Sequence, residues 1–249
     1  MNLIWFYSLL SVVIVSLISL IGVFTLSIKV EKLKRVLIYL LAFSAGALLG
    51  DAFIHLLPEL VEKGFGLNVA FTILGGIFLF LFMEKIIHWQ HCHMPITKTH
   101  VHSFAYMNLI GDGLHNFIDG LIIAGSYVIS VPVGLATTIA VVLHEIPQEI
   151  GDFGVLLHGG FSKGKALLMN FSSALVAVLG VVLGLLLAER IAGLEVYIIA
   201  LAIGGFIYIA GSDLIPELHK DSDKIWKGVL QLIAFLLGIG VMSLLLLLE

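Results

Sequence analysis

Eight apolar runs of membrane-spanning length follow one another along the chain, over about 3–28, 35–61, 68–88, 104–129, 132–158, 165–189, 194–217 and 225–248. An α-helix rises 1.5 Å per residue, so about 20 residues cross a hydrocarbon layer ~30 Å thick. Lipid offers the backbone no hydrogen-bond partner, which leaves helices and closed barrels as the only spanning structures. The strict apolar–polar alternation of barrel strands is absent, so each run is expected to be a helix. Composition agrees: 60% of the 249 residues are hydrophobic and 12% charged, more apolar surface than a soluble domain of this size encloses. The first run is too long for a signal-peptide core and lacks a preceding basic region, so it reads as a span. The expected fold is an all-α polytopic membrane protein of eight transmembrane helices in one domain, 1–249. Helices 1–3 occupy 1–88, a loop 89–103, helices 4 and 5 104–158, and helices 6–8 165–249. The single cysteine, Cys92, excludes an intrachain disulfide.

Basic residues set the orientation. The loops after helices 1, 3, 5 and 7, with the adjoining helix ends, hold Lys29, Lys32, Lys34, Arg35, Lys85, Lys98, Lys163, Lys165, Lys220, Lys224 and Lys227. The opposite side holds Lys63 and Arg190. This asymmetry places the first side in the cytoplasm and both termini outside. The expected partners are the lipid bilayer and divalent metal ions, not nucleic acid; a homodimer is an admissible assembly. The sequence carries no sizeable extramembrane domain, for which the expected location is a prokaryotic plasma (inner) membrane.

Helix 2 contains His55-Leu56-Leu57-Pro58-Glu59 and helix 7 contains Asp213-Leu214-Ile215-Pro216-Glu217. The shared pattern x-L-(L/I)-P-E lies in helices of opposite direction. An inverted repeat is therefore expected, helices 1–3 related to helices 6–8, with helices 4 and 5 between them in a 3+2+3 arrangement. Glycine pairs such as Gly46 and Gly50, Gly180 and Gly184, and Gly204 and Gly205 are expected where helices approach closely.

Ionisable groups at membrane depth are costly and mark function. On helix 4, Asn108, Asp112, His115, Asn116 and Asp119 recur at offsets 0, 4, 7, 8 and 11, which is one helical face. On helix 5, His144, Glu145, Gln148, Glu149 and Asp152 form a second stripe. A very short turn near Ser130 to Pro132 makes the two helices antiparallel neighbours, and His115 and His144 reach similar depth. The facing stripes are expected to hold a divalent metal ion near the bilayer midplane. Imidazole, carboxylate and amide groups suit Zn²⁺, with Fe²⁺, Mn²⁺ and Cd²⁺ as further candidates. The absence of a thiolate at this depth argues against Cu(I). Pro147 has no N–H, so it frees the Leu143 carbonyl beside the site. Asp112, Glu149, Asp152, His55 and Asp213 are candidates for the ion's path. The loop between helices 3 and 4 carries His88, His91, Cys92, His93, His100 and His102, which read as a low-affinity cytoplasmic metal acceptor.

The residues His115-Asn116-Phe117-Ile118-Asp119-Gly120 and His144-Glu145-Ile146-Pro147-Gln148-Glu149-Ile150-Gly151-Asp152 resemble the helix-4 and helix-5 motifs of the ZIP (Zrt-, Irt-like protein) metal transporters. The likeness is to the subfamily whose helix 5 reads HExPHExGD. Asp51, His55, Pro58 and Glu59 resemble its helix-2 pattern. The resemblance implies a binuclear metal centre, with His115, Asp119, His144 and Gln148 in one site and Asn116, Asp119, Glu145 and Gln148 in its neighbour. It also implies an elevator-like motion of helices 1, 4, 5 and 6 against the rest, and places Asn170 and Ser173 where relatives carry a helix-6 carboxylate. The chain departs at Gln148, where the subfamily has His; an amide is a weaker, uncharged ligand.

Three functions are compatible with these residues. Uptake of a divalent metal ion into the cytoplasm fits the paired stripes. An intramembrane metallohydrolase needs His-Glu-x-x-His on one helix, and residues 144–148 read His-Glu-Ile-Pro-Gln, so no enzyme is expected. A non-transporting metal sensor stays open at this stage.

Overall fold

The protein is seen in a computed structural model that describes residues 2–22, 30–88, 103–220 and 225–248. The regular structure among them is entirely helical. The rods are α1 (Asn2–Ile18, prolonged by a 3-10 turn at Ser19–Ile21), α2 (Val30–Gly50, a π-helical turn at Asp51–Leu56, then Leu57–Gly64) and α3 (Leu67–His88). Next come α4 (Ser103–Ile129), α5 (Val131–His158) and α6 (Lys163–Ala174 with Val176–Ala188). The last are α7 (Leu194–Tyr208, a π-helical turn at Ile209–Leu214, then Ile215–Lys220) and α8 (Ile225–Leu245). Seven of the rods are long and apolar enough to cross a membrane. The remaining one, α4, has 27 residues, and its polar stripe lowers its hydropathy. The end of the expected first helix, residues 23–28, and the loop residues His91, Cys92, His93, His100 and His102 lie outside the described residues.

The turn between α4 and α5 is as short as the sequence requires. Ser130 is extended, with φ −160° and ψ 159°, and its Oγ accepts the Val133 N–H at 3.3 Å. Pro132 occupies the first turn, where its missing N–H would have had no partner.

Two sets of rods pack most closely within themselves: α1, α4, α5 and α6 in one, α2 with α8 and α3 with α7 in the other. Glycine decides how close. A Cβ on Gly120 would lie 2.0 Å from the Ala177 carbonyl oxygen, and one on Gly180 2.1 Å from that of Phe117, which marks an α4–α6 crossing. At the α2–α8 crossing, a Cβ on Gly46 would meet the Phe235 oxygen at 2.0 Å, and one on Gly238 the Phe43 oxygen at 2.1 Å. At the α3–α7 crossing the pair is Gly76 and Gly204, with 2.3 and 2.1 Å to the Leu201 and Ile73 oxygens. Without a hydrophobic force between helices in lipid, this backbone approach supplies the attraction. Gly120→Ala is expected to force α4 and α6 apart and destabilise the protein by about 1–3 kcal/mol. Thermal unfolding in detergent measures it; an unchanged melting temperature would contradict the crossing.

The π-helical turns of α2 and α7 share one register. The Leu57 N–H bonds to the Ala52 carbonyl, and the Ile215 N–H to the Ala210 carbonyl. Each turn ends one residue before the Leu57-Pro58 or Ile215-Pro216 step. Proline has no N–H to continue the ladder and its ring crowds the carbonyl four residues back, so the chain widens there.

Candidate metal centre

The two antiparallel stripes bring four side chains together. Ligand atoms of His115 and Asp119 on α4 and of His144 and Glu145 on α5 all lie within 4.8 Å of one another, and all four residues are buried. His115 Nε2 is 3.3 Å from His144 Nε2, 3.7 Å from Asp119 Oδ2 and 3.4 Å from Glu145 Oε1. His144 Nε2 is 3.2 Å from Asp119 Oδ2 and 3.5 Å from Glu145 Oε1. A tetrahedron with metal–ligand bonds of about 2.0–2.2 Å has edges of about 3.3–3.6 Å. The five distances fall on or beside that range.

Hydrogen bonding prepares these atoms for a cation. The Ala140 carbonyl lies 3.1 Å from His144 Nδ1 and can only accept, so Nδ1 carries the proton and Nε2 presents its lone pair to the centre. Both carboxylate oxygens of Asp119 and both of Glu145 are buried without a hydrogen-bond partner. Among the described residues, only the two imidazoles, 3.2–3.7 Å away, stand near these buried charges, and two carboxylates held together in a low-dielectric interior favour a cation between them. Rings from α3 and α7 close the sides: Phe80 meets His115 edge-on at 5.6 Å between centroids, and Phe206 lies 6.1 Å from His144.

The freed Leu143 carbonyl accepts the Ser44 hydroxyl of α2 at 2.6 Å, so α5 continues through Pro147 without an orphaned oxygen there. This contact joins the two sets of rods one residue from His144.

A cavity of about 580 Å³ reaches the centre from one side. Its wall includes His115, Gln148, Asp112, Asp152 and Asn108 from α4 and α5, and Glu84, Tyr208, Ser212, Asp213 and Glu217 from α3 and α7. Among the described residues, five carboxylates and no lysine or arginine line it, which favours cations. Gln148 is half-buried on this wall, one helical turn from His144. Asn116 is buried; its amide donates to the Asp112 side chain at 2.9 Å, while its own Oδ1 has no partner.

The path candidates separate. Asp112, Asp152 and Asp213 line the cavity. Glu149, Asn170 and Ser173 are buried at the contact of α5 and α4 with α6: Asn170 donates to Glu149, and Ser173 to Asp112. His55 instead meets α8, with Nε2 2.9 Å from the Met242 carbonyl. Glu84 and Ser44 were not singled out from sequence. Glu84 does leave a signal, an acidic residue near the end of an otherwise apolar span, and Tyr208 donates its hydroxyl to it.

The sequence profile of one family, described as ZIP zinc transporter, matches residues 2–104 and 93–246. The chain is 32% identical over 264 residues to zinc transporter zipt-7.2 of Caenorhabditis elegans, covering 82% of this chain and 57% of that protein. It is 33% identical over 222 residues to zinc transporter ZIP13 of Pongo abelii, covering 82% and 65%. With metal cation symporter ZIP14 of Xenopus tropicalis the identity is 30% over 310 residues, covering 94% and 66%. The chain thus spans less than two thirds of the length of these relatives.

Proposed function

Because this chain belongs to the ZIP family of zinc transporters, we propose that it carries Zn²⁺ or a similar divalent transition-metal ion across the membrane into the cytoplasm. The transported ion rests between α4 and α5 at His115, Asp119, His144 and Glu145, near the bilayer midplane, with α4 as the eighth crossing. The observation that carries this reading is the quartet itself. Two imidazole nitrogens and two buried carboxylates without hydrogen-bond donors stand at tetrahedral spacing, at the end of an acidic cavity. A non-transporting sensor has no use for a one-sided cation route into the membrane, and the proline and glutamine at 147 and 148 speak against a hydrolase.

The cavity is bounded by the C-terminal ends of α3, α5 and α7 and the N-terminal half of α4. The lysine and arginine asymmetry assigns those ends to the cytoplasm and both termini to the outside. This conformation is then open inward. The inverted repeat of helices 1–3 and 6–8 is supported by the shared π-turn register, by the reciprocal α2–α8 and α3–α7 pairings, and by Gly46 and Gly204, which stand at the same distance before the two turns. The ion would move with α1, α4, α5 and α6 against the wall formed by α2, α3, α7 and α8. The six glycines whose added Cβ would come within 2.5 Å of a neighbouring helix's backbone all lie inside one set or the other, among the described residues, and none between them.

Reconstituted in liposomes, the chain is expected to admit Zn²⁺ to an internal fluorescent indicator; protein-containing vesicles that admit no more Zn²⁺ than empty ones overturn the reading. A second expectation tests the motion. The Ser44–Leu143 bond spans the two sets, so it must part when they slide. Ser44→Ala removes about 1 kcal/mol from the inward-open state, roughly a fivefold change in population. Labelling of a Met83→Cys reporter in the cavity by an impermeant maleimide should slow accordingly, with Cys92 replaced by Ser. Unchanged labelling would mean that the two sets do not separate at this bond.

A further inference from the structure

The end of α7 and the start of α8 leave a groove between them. It encloses about 500 Å³ and shares no lining residue with the cavity that reaches the metal centre. That is the size of a small-molecule site. Ile215 and Leu218 of α7 line it together with Val229, Leu232 and Phe235 of α8. Val229 and Leu232 are exposed, so the groove opens sideways, toward lipid. Among the described residues, its lining holds one ionisable group, His219, and no carboxylate.

Two details mark the groove as a place for a ligand. Gln231 lines it and is 6% exposed, and its Nε2 has no hydrogen-bond partner among the described residues. A buried amide donor without an acceptor is costly, the more so where lipid stands in place of water. Gly228 lines the groove one turn before Leu232, and a Cβ added there would meet no atom within 4 Å. The groove is thus open at the one point where any other residue would begin to fill it.

The order of groups along α8 indicates what fits. Lys227, Gln231 and Phe235 follow at intervals of four, on one helical face. Trp226, 53% exposed, stands at the start of the helix, where indole rings settle at the membrane surface. From surface to core, the face presents an ammonium, an amide donor and an apolar groove. A glycerophospholipid presents a phosphate, an ester carbonyl and an acyl chain in the same order. We propose that the α7–α8 groove binds one glycerophospholipid from the leaflet on the lysine-rich side. Its acyl chain lies between Ile215, Leu218, Leu232 and Phe235, an ester carbonyl accepts the Gln231 amide, and the phosphate meets Lys227. Ile215 and Leu218 directly follow the π-helical turn of α7, and Asp213, Pro216 and Glu217 beside them belong to the wall of the metal cavity. The lipid braces that wall from outside. Its binding does not depend on the transport reading.

The test is native mass spectrometry of the delipidated full chain in detergent, titrated with phosphatidylglycerol, with thermal unfolding of the same samples. One lipid should bind per chain ahead of any other and raise the melting temperature. Gln231→Leu removes the donor and should weaken that binding at least about tenfold, while the lipid-free chain melts no lower than the parent. Gly228→Leu places a side chain in the groove and should weaken binding as much. Gly240→Leu is the control: its added Cβ also meets no atom within 4 Å, yet the residue does not line the groove, so lipid binding should match the parent's. Diacylglycerol, which lacks the phosphate, should bind at least about tenfold more weakly than phosphatidylglycerol. The proposal is overturned if the parent binds no lipid, if either groove variant binds it as the parent does, or if diacylglycerol binds equally well. Equal loss in Gly240→Leu would mark a general lipid coat and overturn it too. So would a dimer of the parent that Gly228→Leu dissociates, since a second copy of the chain would then fill the groove.

Discussion

Asp119→Ala and His144→Ala are each expected to abolish metal flux while the protein still folds. Asp119 Oδ2 stands 3.2 Å from His144 Nε2 and 3.7 Å from His115 Nε2, so its removal opens one corner of the tetrahedron. Loss of a partner that only orients a metal ligand already costs 10–100-fold in affinity, and loss of the ligand itself should cost more than about 100-fold. His144→Ala removes the nitrogen whose tautomer the Ala140 carbonyl fixes, with the same consequence. Folding should survive, since Asp119→Ala removes a buried carboxylate without a hydrogen-bond donor and His144→Ala gives up one hydrogen bond to its own helix and one contact with the His115 ring. Zinc flux in liposomes, normalised to protein that elutes as a single species in detergent, measures the effect. Near-normal flux in either variant sinks the assignment of the quartet.

Glu145→Gln should be nearly as damaging, and Gln148→Ala far milder. The sequence motif points to position 148 as a partner of His115, Asp119 and His144. In the folded chain the Glu145 carboxylate lies 3.4 and 3.5 Å from the two histidine nitrogens, with both oxygens unpaired. Gln148 is half-buried on the cavity wall. Exchanging a buried carboxylate for an amide removes the charge that compensates the ion, so a loss of at least about tenfold in flux is expected. Gln148→Ala leaves the quartet whole and should change flux by less than about threefold. Gln148→His adds an imidazole within reach of the cavity and should favour Zn²⁺ in competition with Mn²⁺. Equal losses in Glu145→Gln and Gln148→Ala would place the ion one helical turn nearer the cavity.

The sequence alone determined the helical elements and the family. Lipid forbids unpaired backbone, so apolar length translates directly into helices: the run at 68–88 appears as Leu67–His88, and that at 132–158 as Val131–His158. Polar residues inside apolar runs are costly, so the stripe from Asn108 to Asp119 and that from His144 to Asp152 stand out, and the fold brings His115, Asp119, His144 and Glu145 from them together. The x-L-(L/I)-P-E pattern, too, marked two positions that share a π-helical turn. Tertiary structure decided what periodicity cannot: which atoms on a face converge. Helical spacing places Glu145 and Gln148 on one stripe, yet only the relative rotation of α4 and α5 turns the Glu145 carboxylate toward both histidines. It also turned His55 toward the Met242 carbonyl and gave the Pro147-freed carbonyl of Leu143 to Ser44, 99 residues away in sequence. In lipid, helices carry no hydrophobic preference for one another's faces. Their mutual rotation is set by close glycine crossings and single hydrogen bonds, and these long-range fits leave little trace in the local sequence.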